Sequence, residues 1–99
     1  MFIAVLRIDL GIPGARSLKD RRQVVKSLKE RLINKFGVAC AEVGERESWV
    51  RAALGISLVC PDRETLVEMV DELKRYVRQD PGALVGNIQE DIFNYESDN

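Results

Sequence analysis

Hydrophobic residues in this chain follow two periods in a fixed order. Two stretches place apolar residues at a period of two, two further stretches read as strands, and two repeat with the helical period near 3.6. The first stretch sets the pattern. Phe2, Ala4, Leu6, Ile8 and Leu10 form an unbroken apolar set, with Ile3, Val5, Arg7 and Asp9 between them. That spacing predicts a strand with one wholly apolar face and one mixed face. Gly11, Pro13 and Gly14 stop it. Ser17 then caps a helix, with Asp20 placed for a variant of the capping box. Leu18, Val25, Leu28, Leu32 and Phe36 fall on one stripe with Val24 at its edge, and Gly37 ends the helix.

The remainder repeats the logic. Residues 38–43 read as a second strand, Gly44 to Ser48 as a polar turn, and Trp49 to Cys60 as a third strand. The short link makes these two an antiparallel hairpin, centred near Arg46 and Glu47 and placing Cys40 opposite about position 53. Pro61-Asp62 opens a second helix, whose Leu66, Val70, Leu73 and Val77 form its stripe. Asp80-Pro81-Gly82 stops it, and a last strand runs from about Leu84 to Tyr95. One apolar stripe per helix and one strongly apolar face per strand are satisfied together by two layers. The expected fold is α+β, a ferredoxin-like βαββαβ sandwich of a four-stranded antiparallel sheet with two helices on one face. Residues 1–95 would form one domain and 96–99 a polar tail.

Composition narrows the chemistry. The 99 residues include no histidine, which removes His-based triads and His metal ligands. Cys40 and Cys60 lie 20 positions apart without a C-x-x-C spacing and are expected as reduced core residues. No apolar run has the roughly 18–20 residues that span a bilayer. The acids Glu42, Glu45 and Glu47 near the hairpin, and Glu90, Asp91, Glu96 and Asp98 near the C-terminus, have no metal-loop spacing and read as solvated charges. The expectation is a cytoplasmic, non-enzymatic protein with no cofactor, no metal and no membrane association.

Positive charge concentrates on the first helix. From Arg16 to Lys35 eight cations face two acids, a net of +6 in a chain of net charge −1. At 100° per residue Lys19, Arg22, Lys26 and Lys29 share one flank of the apolar stripe, and Arg16 extends that flank past the N-terminus. Arg31 and Lys35 lie on the other flank. Arg21 projects into the stripe near its start and is expected to snorkel or pair at the rim. Two readings stand for the flank: a solvated face with a Lys26–Glu30 ion pair, or a surface that tracks phosphates.

The run ARSLKDRRQVVKSLKERLINKFGV, followed by AEVGERESWVRAALGISLV, resembles the YlxP-like family of small bacterial proteins of unknown function. The resemblance covers about residues 1–95. It rests on the Ser17-Leu18-Lys19 entry, the Ala41-Glu42-Val43 strand and Trp49 leading into Ala53-Leu54-Gly55. It implies a ferredoxin-like fold. It also implies an RNA-associated role, because such genes stand beside those for translation and ribosome-maturation factors. It carries over no catalytic residue, and the Gly44–Ser48 turn departs from the family's Asp-His-Gln-Asp-Leu. The leading expectation is binding of RNA or a ribosomal particle through Arg16, Lys19, Arg22, Lys26 and Lys29.

The open sheet face supplies the alternative. It would show Ile3, Val5, Arg7 and Asp9 from the first strand. The third strand would add Trp49, Arg51, Ala53, Gly55, Ser57 and Val59, and the last Val85, Asn87, Gln89, Asp91, Phe93 and Tyr95. Aromatics are too few on the central strands for an RNA-recognition platform. Arg7, Trp49, Arg51, Phe93 and Tyr95 instead suit a homodimer or small-ligand face. Gly55 within a strand signals a bulge or a close approach by another chain. A third, distant reading is an acylphosphatase-like hydrolase using Arg16 and the loop from Gly11 to Ser17, an analogy of fold alone.

Overall fold

A computed structural model describes residues 1–44, 48 and 50–96. Its elements follow the expected order: β1 (Phe2–Gly11), α1 (Leu18–Phe36), β2 (Ala39–Val43), β3 (Arg51–Cys60), α2 (Arg63–Arg78) and β4 (Leu84–Asn94). The strands form one antiparallel sheet in the order β2-β3-β1-β4, with both helices on one face. This is the ferredoxin-like two-layer arrangement.

Each helix begins and ends as its sequence dictates. The Ser17 hydroxyl accepts from the Asp20 amide at 3.1 Å, and the Asp20 carboxylate accepts from the Arg16 amide at 3.1 Å. Gly37 closes α1 at φ 64°, a left-handed conformation glycine adopts without steric cost, and its amide donates to the Ile33 carbonyl. The Asp62 carboxylate caps α2 by accepting from the Thr65 amide at 2.8 Å. That bond, then one from the Thr65 hydroxyl, holds the Asp62 carboxyl below the usual range.

The core lies between the layers. Leu6, Ile8, Leu10, Leu54, Ile56 and Leu58 of the central strands meet Val25, Leu28, Leu32, Leu66, Val70, Leu73 and Val77 of the helices, all buried. Ile12, just beyond β1, is buried as well, and its amide donates to the Val50 carbonyl at 2.8 Å.

Four details differ from the sequence expectation. Val85 packs against the core and not on the open face. Leu10 pairs with Val85 and Ile8 with Ile88, so β4 carries one extra residue there. This bulge at Gly86-Asn87 turns Val85, Ile88 and Ile92 to the same side. Gly55, in contrast, sits in unbroken register; the space a Cβ would need is taken by Val43 Cγ1 at 3.2 Å. Cys40 pairs with Ile56 and not with position 53, because β3 starts at Arg51 and the connection is longer on that side. Both cysteines are free, as expected. Trp49 and the turn residues 45–47, like the tail residues 97–99, lie outside the described residues.

Arg21 is the fourth difference. Its side chain is 1% exposed and not at the rim. Nε donates to the Arg51 carbonyl at 2.8 Å and Nη2 to the Glu42 carboxylate at 2.7 Å, tying the start of α1 to β3 and β2. Removing one member of a buried charge pair typically costs about 3–5 kcal/mol. Arg21→Ala should therefore lower stability by about 3 kcal/mol. The neighbouring exposed change Arg22→Ala should stay within about 0.5 kcal/mol of the parent. Urea denaturation of both variants checks the contrast.

Candidate functional site

Eight cations enter α1 and its approach, and the fold employs three of them. Arg21 is buried as described. Arg31 turns toward α2, donating to Asp80 at 2.6 Å, to the Tyr76 hydroxyl at 3.2 Å and to the Ser27 hydroxyl at 3.3 Å. The Asp80 bond, then the Tyr76 bond, raises the Arg31 pKa above its ordinary value. Lys35 lies over the Phe36 and Tyr76 rings, 5.8 Å and 5.5 Å from their centroids.

Arg16, Lys19, Arg22, Lys26 and Lys29 remain. Among the described residues none of these five forms an ion pair, including the expected Lys26–Glu30 pair. Lys19, Arg22 and Lys26 are exposed on α1, and Lys29 is half-buried against the sheet edge. From Lys19 to Lys29 the helix rises about 15 Å. Arg22 and Lys29 also line a groove of about 480 Å³ between α1 and the edge strand β2, with Arg21, Ala41 and Glu42. The sequence-predicted basic flank is thus one surface, backed by an edge strand that pairs on one side only.

The open face divides into two ends. Ile3 pairs with Val59 and with Phe93, and these three with Val5 form an apolar end. Val5, Val59, Phe93 and, beyond β4, Tyr95 are exposed. Arg7, Asp9 and Arg51 occupy the opposite end, so Arg7 and Arg51 are separated from Phe93 and Tyr95. The register places Gln89 and Asp91 on this face too, whereas Glu90 turns to the helix side and accepts from Lys74 of α2 at 2.7 Å.

The Gly11–Ser17 loop is committed to structure. The amides of Ile12, Ala15 and Arg16 donate to Val50, Ile12 and Asp20. These three donors are therefore occupied within the fold. Among the described residues no group of three His, Cys, Asp or Glu side chains is placed to hold a metal ion. No described helix is long and apolar enough to cross a membrane.

Fold and surface together define a small ferredoxin-like α+β protein with a cationic helix flank. Two designed proteins share the architecture. Foldit4 superimposes with a TM-score of 0.52 at 14% identity, over 95% of this chain and 99% of that one. LFR1 1, a design with a ferredoxin fold, gives 0.50 at 11% identity, over 100% and 91%. Residues 3–90 match the family model described as a protein of unknown function, DUF503, and the chain belongs to that family. The uncharacterized protein YlxP of Bacillus subtilis (strain 168) is 39% identical over 64 residues. That match spans 65% of this chain and 66% of the relative, just under two thirds of its length.

Cys40, beneath α1 on the same edge, gives a chemical readout of this region. Burial pushes its thiol from an ordinary value of 9.0 up to about 11, against a smaller opposing pull from the Lys29 charge. A raised thiol pKa means the folded chain holds a proton that the unfolded chain releases. Its contribution to stability is complete below pH 9 and is lost as pH rises toward 11. At pH 8 the native protein should react slowly with an aromatic disulfide reagent, and the urea-unfolded chain should react at once at both cysteines. A Cys40→Ala variant should lose this component of the alkaline fall in stability, measured by denaturation at pH 8 and pH 10.

Proposed function

We propose that this chain is a non-enzymatic protein that binds RNA, in a ribosomal particle, along the exposed flank of α1. One observation carries the reading: among the described residues the five cations on that flank form no ion pair, whereas the other three cations of the same segment are engaged within the fold. Unpaired surface cations along a helix suit a phosphate backbone, because each neutralised phosphate releases counterions. The genomic setting that the family resemblance implies supports the same partner class. Backbone contacts of this kind give salt-dependent affinity with little sequence specificity.

Neutralising Lys19, Arg22 and Lys26 together to Gln should abolish co-sedimentation with ribosomal particles at low salt and leave the urea midpoint nearly unchanged. With a single-stranded RNA probe, the slope of log affinity against log salt should flatten by about 2, at about 0.7 per phosphate contact. Co-sedimentation and slope equal to the parent's would move the site off this helix.

A second reading rests on the apolar end of the open face, where exposed Val59 and Phe93 flank Ile3 in register and exposed Val5 follows it along β1. A homodimer would cover them. Sedimentation equilibrium at high micromolar concentration should then give twice the monomer mass, and Val59→Lys should restore the monomer. A monomeric parent removes this reading.

A further inference from the structure

The opposite end of the open face holds a trough of about 660 Å³, within the size range of small-molecule sites. It lies on the sheet face turned away from α1. Among the described residues three charged side chains line it: Arg7 and Asp9 of β1 and Arg51 of β3. Small residues line it as well: Gly44 and Gly86, both exposed, and Ala53, which is buried.

Two features prepare this end for an anion. Arg7 is held by one edge of its guanidinium: Nε donates to the Asp9 carboxylate at 3.1 Å, and no other acid pairs with it among the described residues. Both Nη groups are left as donors on an oriented plane. Gly44 makes room for that plane. Its φ is 83°, and a Cβ there would lie 3.0 Å from Arg7 Nη2. Arg51 is exposed and forms no ion pair among the described residues. Among the described lining residues two arginines stand against one aspartate, a net positive charge. Guanidinium forks from two different strands can grip a tetrahedral group from two sides, whereas a planar carboxylate is satisfied by one fork.

We propose that this trough binds a small phosphate monoester of about mononucleotide size, with the phosphate between Arg7 and Arg51 and the rest of the molecule along the trough lined by Gly44 and Gly86. The site is independent of the α1 flank, so the two stand or fall separately.

Adenosine 5′-monophosphate, adenosine and inorganic phosphate, titrated separately into the isotopically labelled full chain, test the proposal by amide and arginine side-chain NMR. The monophosphate should shift the Arg7, Arg51 and Ala53 signals saturably. Inorganic phosphate should shift the two arginines more weakly, and adenosine should leave them unmoved. Arg51→Gln should weaken monophosphate binding at least tenfold while keeping the spectrum of a folded protein. The Lys19, Arg22 and Lys26 triple variant should bind as the parent does. Gly44→Ala, which crowds Arg7, should also weaken binding, and Arg7→Lys should not restore full affinity because the fork is gone. The proposal is overturned if millimolar monophosphate leaves the Arg7 and Arg51 signals in place, if it shifts only α1, or if Arg51→Gln binds like the parent.

Discussion

β1 lies between β3 and β4, and its side chains alternate between two environments. Ala4, Leu6, Ile8 and Leu10 are buried under the helices, while Ile3, Val5, Arg7 and Asp9 stand on the open face. Both neighbouring strands take their register from this one. A slip of a single residue would send Arg7 into the core and Leu6 to the surface, so the apolar face pins every cross-strand pair. The two open-face regions, apolar at Ile3 and cationic at Arg7, keep their separation for the same reason.

α1 meets a different demand. It supplies Val25, Leu28 and Leu32 to the core and also carries eight cations in and just before it. The fold resolves this by sorting the charges. Arg21, which falls on the buried side, is compensated by Glu42 and a backbone carbonyl; a buried guanidinium without them would be costly. Arg31 and Lys35 lock the C-terminal half against α2 through Asp80 and Tyr76. What remains is a row without ion-pair partners among the described residues, and a row of that kind is free to exchange water and counterions for phosphate.

Much of this was legible in the residues because it depends on local periodicity. The βαββαβ order follows from alternation in β1 and β3 and from the stripes in α1 and α2. The caps follow from Ser17, Gly37 and Asp62, whose side chains or conformational freedom act within one turn. Four of the five flank cations are legible for the same reason, since helical spacing alone puts Lys19, Arg22, Lys26 and Lys29 together. The bulge in β4 had a faint signal: Val85 and Ile88 are three apart, an odd spacing, with Gly86 between them. Strict alternation places Val85 on the wrong face, and only pairing with Leu10 and Ile8 reveals the extra residue.

The sequence by itself determined the order of the elements, their apolar faces and the single basic flank, because each is set by contacts within a few residues. Tertiary structure decided which charges are spent. Arg21 and Glu42 are 21 positions apart, and Arg31 and Asp80 are 49 apart. No local pattern links them. Their pairing depends on how α1 lies on the sheet and how the turn after α2 returns to it. The trough on the open face has the same origin, since Arg7, Gly44 and Arg51 come to line it only after β3 pairs with both β1 and β2. Local spacing says where a charge sits on its own element; only packing says whether another group already holds it.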